Sequence, residues 1–303
     1  MSGVAGTALR RPGPAAQGHL AMVGFSALVA GSFSLGAMVA NDISPSALTA
    51  ARFLVAALVL GAVVLAGPGF RRAHLRAPWR FVILGGTIGF YFVLMFEGLK
   101  TASAVSTAAV FTLTPVMTAL FGWWFLRQVT TPRMAFALAI GAAGALWVIF
   151  RADLGALIAF EVGYGEAVYF VGCIAHSAFT PLLRRFNRGE PATVTITLVM
   201  VAGFVLLALF GWSDVAATDW TALSPLVWIT LFYTAILASA ATFFLLQFAA
   251  LRLPSAKVMA YTYLTPAWII LWELALGQGV PGVMVLPGIA LIVLALVMLL
   301  RQD

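Results

Sequence analysis

Apolar residues along this chain gather in ten blocks separated by short polar stretches that contain Pro and Gly. The blocks lie at 19–40, 46–67, 79–99, 102–125, 133–150, 163–183, 192–211, 225–248, 255–275 and 281–300. Each is close to the length of about 20 residues that a helix needs to cross a bilayer. The breaks carry helix-ending chemistry: Asn41-Asp42 with Pro45, Gly67-Pro68-Gly69, Thr131-Pro132, Gly189 with Pro191, Pro254 and Pro281. The runs are continuous, which excludes a β-barrel, whose strands show lumen and lipid faces in alternation. Residues 1–18 are polar, rich in Gly, Ala and Pro, and read as a disordered cytoplasmic tail. The block that follows is long enough to span and lacks a cleavage pattern, so it does not read as a signal peptide.

Composition sharpens this picture. The 303 residues are 63% hydrophobic and 9% charged, with a mean hydropathy of +1.05. Soluble domains carry about 25% charged residues, and the loops here are too short to hold a soluble domain. A net charge of +7 and a pI near 10.2 would suit a nucleic-acid binder, but the basic residues sit in the gaps between apolar blocks. Alternating the loops places 14 of the 17 Lys and Arg on one side, from Arg10 and Arg11 through Arg71, Arg72, Arg76 and Arg80 to Arg301. Lys100, Arg151 and Arg52 fall on or near the other side, together with Asp42, Asp153, Glu161, Asp214 and Asp219. The basic side is expected to be cytoplasmic and to hold both termini. Cys173 is the single cysteine and forms no internal disulfide.

The chain also repeats itself. Gly98-Leu99-Lys100-Thr101-Ala102-Ser103-Ala104, followed by Leu113-Thr114-Pro115, has a counterpart in Ala250-Leu251-Arg252-Leu253-Pro254-Ser255-Ala256, followed by Leu264-Thr265-Pro266. Phe33-Ser34 similarly pairs with His176-Ser177. The halves are therefore 19–150 and 163–301, with five spans each. Five is odd, so the second half is expected to enter the membrane upside down relative to the first. Inverted repeats with a site between them mark alternating-access transporters.

These residues resemble the EamA-type family of the drug/metabolite transporter superfamily. Its Ser-Pro followed by Arg-Phe-Leu is matched by Ser44-Pro45 and Arg52-Phe53-Leu54. Its Ala-Leu-Lys/Arg, small residues, then Pro is matched once in each half, with Gly98 in place of the first Ala. Phe33 stands where the family often has Trp, and Arg127-Gln128 and Gly277-Gln278 stand where it often has Glu. Within the family the chain is most similar to the YddG-type amino-acid exporters. The resemblance implies an all-α polytopic protein of ten transmembrane helices in two inverted repeats, in a bacterial inner membrane.

Ionisable groups inside spans are costly and are candidates for function. Glu97, Glu166 and Glu273 fall near the outer ends of spans and are expected to reach water. Arg52, one to two turns into its span, is expected to snorkel outward; its family match reads as a structural clamp or a site. His176, near mid-span, can bind substrate, carry a proton or join two helices. No acid lies near the midplane, which favours facilitated over proton-driven movement.

The candidate substrate-binding set is Phe33, Ser34, Tyr91, Phe111, Thr112, Tyr169, His176, Ser177, Thr242, Tyr261 and Tyr263. Tyr169 and His176 share a face, as do Tyr261 and Thr265. Any one hydroxyl can equally be an interhelical hydrogen bond worth about 0.6–2 kcal/mol. Together they describe an aromatic, polar, nearly uncharged cavity, suited to a neutral or zwitterionic metabolite. A strongly anionic substrate would want an inward-facing Lys or Arg, and none is evident. Pro115 and Pro266 fall at equivalent places and are expected to be hinges, while Gly85-Gly86-Gly89 and Gly141-Gly144 allow close packing.

Enzyme machinery is absent as motif: there is no His-Glu-x-x-His, no Gly-x-Ser-x-Gly and no pair of mid-span aspartates. No filter-like loop marks a channel. The expected function is export of amino acids, aromatic or large neutral, or of related metabolites. The alternative is a proton-coupled exporter of other metabolites or drugs. The expected partners are a small-molecule substrate and the lipid bilayer, with no cofactor, metal or nucleic acid and a monomeric state.

Overall fold

The computed structural model describes residues 13–150, 152–159, 162–278 and 282–300. Arg10, Arg11, Arg151, Glu161, Pro281 and Arg301 lie outside them, as does the expected tail as far as residue 12. Helix α1 runs Pro14–Val39, starting ahead of the expected residue 19. It is followed by α2 (Pro45–Ala66), α3 (Trp79–Gly98), α4 (Ala104–Leu126), α5 (Pro132–Ile149), α6 (Tyr164–Phe186), α7 (Ala192–Phe210) and α8 (Pro225–Ala250). Then come α9, built in pieces from Ser255 to Ala275, and α10 (Leu286–Leu300). Short helices Leu154–Ala159 and Trp212–Ala217 lie in two of the connections.

Among the described residues nine helical stretches, α1 to α8 and α10 with the turn before it (Val283–Leu300), are long and apolar enough to cross a membrane. The segment that the sequence reads as a further span, α9, is helical but interrupted. It consists of Ser255–Ala260, a 3-10 turn at Tyr261–Leu264, and Thr265–Ala275. A matching break splits α4 into Ala104–Phe111 and Thr114–Leu126. Both breaks stand directly before a Thr-Pro, so Pro115 and Pro266 occupy the first turn of a new helical piece. There a missing N–H costs nothing, because the first turn has no acceptor for it. The prolines expected as hinges therefore stand at the start of new helical pieces.

Local chemistry explains the other starts. The Ser44 hydroxyl accepts from the Ala47 N–H, Ser103 from Ser106, and Thr131 from Met134, each closing one unsatisfied donor of a helix N-terminus. Pro45 and Pro132 follow their caps in the first helical turn.

The packing is its own image under exchange of the two halves. Helix α2 packs on α7 and α5 on α10; α3 lies along α6 as α1 lies along α8; the second piece of α4 meets α6 as that of α9 meets α1. Glycines let the closest pairs approach. A Cβ on Gly85 of α3 would come within 2.5 Å of the Gly203 nitrogen in α7, and one on Gly144 of α5 within 2.6 Å of the Gly288 carbonyl in α10.

Contacts also sort the helix ends onto two faces. At the Arg80 end of α3, Arg80 binds Phe186 and Glu190, Arg185 binds the Phe125 carbonyl, and Arg184 binds the carbonyl of Leu253, whose side chain lies against Gly18 of α1. At the other end of α3, Gly98 meets Gly165 at the start of α6. The first half thus begins on the basic face and the second on the opposite face.

Candidate functional site

Between the halves lies a central cavity of about 10 Å³, lined by Phe25, Val29, Ser32, Arg52, Tyr91, Phe92, Met95, Phe111, His176, Ala238, Thr242 and Phe243. That is room for about one water molecule, so the described conformation is closed around its centre. Both halves contribute to the lining. Rings dominate it: Tyr91 stands 4.4 Å from His176 and 6.0 Å from Phe111 between centroids, and His176 lies 5.2 Å from Phe111. Phe92 and Phe179 both meet Phe243 edge-on.

Four of the expected residues line this cavity: Tyr91, Phe111, His176 and Thr242. Two more close it towards the Gly98–Gly165 face. The Tyr169 hydroxyl is 2.8 Å from that of Tyr91, and Phe33 packs on Tyr169 and Phe111. Ser34 is buried with an unpaired hydroxyl but is outside the lining. Thr112 and Ser177 spend their hydroxyls on helix carbonyls, Thr112 on Ala109 and Ser177 on Cys173.

Tyr261 and Tyr263 lie elsewhere. The Tyr261 hydroxyl is 2.9 Å from His19 Nδ1 in the first turns of α1. Tyr263 is packed into a second apolar cluster with α5 and α10, its ring within contact distance of Gly141. Both tyrosines stand in the 3-10 turn Tyr261–Leu264 that interrupts α9.

Arg52 corrects the sequence reading most. It is fully buried and lines the cavity, where outward snorkelling was expected. Its Nε donates to Ser239 Oγ at 2.6 Å and its Nη2 to the Ala238 carbonyl at 2.8 Å, while its guanidinium sits 3.6 Å from the Phe92 ring centroid. The acceptors come from a π-helical turn, Tyr233–Ala241, inside α8. Such turns displace carbonyls from the regular ladder, and this one anchors the guanidinium inward. The cavity therefore contains an inward-facing cation after all. Ser32, Phe92, Met95 and Phe243 are further lining residues that the spacing passed over. Ser32 immediately precedes Phe33, the position to which the repeat pointed.

Glu166 also departs from expectation. It is buried, and Ser106 Oγ donates to its Oε1 at 2.7 Å, joining α6 to α4. Glu97 instead pairs with Lys100 at 2.7 Å in a half-exposed contact. On the basic face, Arg80 Nη2 meets Glu190 Oε1 at 2.7 Å, both side chains buried. Burial alone would raise the Glu190 carboxyl. The hydrogen bonds from Arg80 and from the Arg188 backbone N–H outweigh it and hold the carboxyl below its ordinary value. Among the described residues no group of His, Cys, Asp and Glu could hold a metal ion.

Comparison with known proteins agrees with this architecture. The model of the EamA-like transporter family matches residues 16–150 and 163–301. YyaM, an uncharacterized transporter of Bacillus subtilis (strain 168), is 28% identical over 192 residues, or 62% of this chain; the match spans 63% of the length of YyaM. A solved crystal structure, 21% identical, has a TM-score of 0.70 over 92% of this chain and 96% of its own, which is a likeness of fold. Two halves matched by one family model pack around a shared aromatic cavity, and the chain belongs to the EamA-like transporter family.

Proposed function

We propose that this protein is an alternating-access carrier that exports amino acids with aromatic or large neutral side chains across a bacterial inner membrane. In this reading ten spans cross the membrane, both termini are cytoplasmic, and a single chain suffices. The observation that carries it is the lining of the central cavity: rings from both halves, a few polar atoms, and no carboxylate. Faces of Tyr91 and Phe111 suit an ammonium group, and the apolar walls from Phe25, Val29 and Met95 suit an apolar side chain.

A cavity of about 10 Å³ has to widen before it admits such a molecule. Widening towards one face or the other requires the halves to separate alternately, and the breaks in α4 and α9 supply joints between rigid pieces. With no acid in the lining, movement follows the substrate gradient.

A second reading, proton-coupled export, draws support from buried Glu166, whose carboxylate ties α6 to α4 through Ser106. Counterflow in proteoliposomes separates the two. Vesicles preloaded with unlabelled amino acid take up labelled phenylalanine or leucine, with and without a pH gradient. Exchange without a gradient, retained in Glu166→Gln, is expected. A strict gradient requirement lost in Glu166→Gln or His176→Ala would establish coupling. Absence of exchange for every amino acid by folded protein would overturn the substrate assignment.

A further inference from the structure

Three buried polar atoms in the central cavity have no hydrogen-bond partner: Ser32 Oγ, Arg52 Nη1 and His176 Nδ1. They come from α1, α2 and α6. One belongs to a full positive charge, and that charge has no counter-ion: no Asp or Glu lines the cavity, and no carboxylate is paired with Arg52 among the described residues. An uncompensated cation deep in a bundle is costly, and proteins keep such groups where they meet a partner. The protein's own contacts use Nε and Nη2 for Ser239 and Ala238. They fix the guanidinium plane and leave Nη1 of this cavity-lining residue without a partner.

We propose that Arg52 Nη1 is the anchor for a carboxylate on the transported molecule, with Ser32 Oγ as a second donor to the same group. Resting on the reading of the protein as an amino-acid carrier, this makes a single carboxylate the group that a transported molecule must carry. An amine without a carboxylate leaves the buried charge uncancelled, and an amide or ester of the same size leaves it equally so. A phosphate ester, carrying about two negative charges at neutral pH, exceeds what one guanidinium with its single positive charge balances. The Phe92 ring on the guanidinium face completes the seat: it shields the cation from other directions without neutralising it.

A structural clamp on the π turn of α8 would account for Nε and Nη2. It does not account for a third donor left unpaired at the cavity wall beside two further unpaired polar atoms.

The experiment changes the ligand first, so that no variant has to fold. Thermal stabilisation of the purified protein in detergent is measured with L-phenylalanine, L-phenylalaninamide, phenethylamine and 3-phenylpropionate. Phenylalanine and 3-phenylpropionate are expected to stabilise it and the other two are not. The same series follows for Arg52→Gln and Arg52→Lys, with unliganded melting as the check on folding. Arg52→Gln is expected to weaken carboxylate binding by at least about thirtyfold, the usual scale for truncating one side of a buried charge pair. Arg52→Lys, which keeps the charge without the fork, retains part of it.

Amides or amines that stabilise as well as acids, or folded Arg52→Gln with wild-type preference, would overturn the anchor while leaving amino-acid counterflow intact. Stabilisation by 3-phenylpropionate but by no amino acid would keep the anchor and overturn the amino-acid reading.

Discussion

The hydroxyls of Thr114 and Thr262 lie 3.4 Å apart although 148 positions separate them in the chain. Each stands at a helix break, Thr114 opening the second piece of α4 and Thr262 inside the 3-10 turn of α9. The two interruptions therefore touch, and the joints of both halves meet in one place. In the proposed alternating-access cycle, bending at one break would be felt directly at the other.

Replacing Pro115 and Pro266 together by Ala restores a backbone donor at each break and allows the pieces to anneal. Both prolines sit in a first helical turn, so folding stability is expected to change by less than about 1 kcal/mol. Exchange is expected to slow by about tenfold, or about 1.4 kcal/mol in the barrier, with the half-saturating concentration unchanged. Initial counterflow rates over a substrate series measure both; an unchanged rate would make the breaks static.

The Tyr91–Tyr169 bond, at 2.8 Å, ties α3 to α6 beside the cavity. Tyr91→Phe and Tyr169→Phe are each expected to cost about 0.6–2 kcal/mol in detergent unfolding. The double variant should cost less than the sum, because the second change removes a hydroxyl that has already lost its partner. Strict additivity would show that the pair contributes nothing as a pair.

Neighbouring glycines of α3 should respond differently to the same change. A Cβ on Gly85 meets backbone of α7, 2.7 Å from the Val199 carbonyl, whereas one on Gly86 meets the end of the Leu206 side chain at 3.2 Å. Gly85→Ala is expected to destabilise by about 1–3 kcal/mol, and Gly86→Ala by much less, since Leu206 can rotate aside. Thermal melts of the two variants test the order.

The Arg80–Glu190 contact predicts a pH dependence confined to the acidic side. The native carboxyl lies below its ordinary value, so its contribution is complete above the unfolded value and disappears as pH falls through the native one. Between those two values the unfolded chain binds more protons, and stability rises with pH. Glu190→Gln is expected to lose about 3 kcal/mol at neutral pH and to melt with less dependence on pH on the acidic side. Parallel melting curves for the two proteins at all pH values would remove Glu190 from the account.

Much of the fold was legible because membrane helices announce themselves by length and apolar content, and because the Leu-Thr-Pro triplets recur. Both triplets proved to mark the same event, a helix restarting at Thr-Pro. The cavity was half legible. Tyr91, Phe111, His176 and Thr242 stand on regular stretches and line it as their mid-span positions suggested. Tyr261 and Tyr263 do not; both stand in the 3-10 turn that interrupts α9, which the spacing did not announce. Arg52 could not be read correctly from its own neighbourhood. A long basic side chain near a helix end ordinarily reaches water, and what holds it inward is a π turn 186 residues away that carries no sequence signature.

That π turn occupies nine residues of α8, and α3, its image under exchange of the halves, is an uninterrupted α-helix. The repeats are thus related in packing but not interchangeable, and the states open to the two sides are different structures with different free energies. In the proposed facilitative mechanism the carrier cannot alter the equilibrium concentrations on its two sides. Its maximal rates and half-saturating concentrations can nonetheless differ between influx and efflux, bound only to keep the same ratio in both directions. One irregular turn gives an otherwise two-fold design a front and a back, and flux measured from a single side describes only half of it.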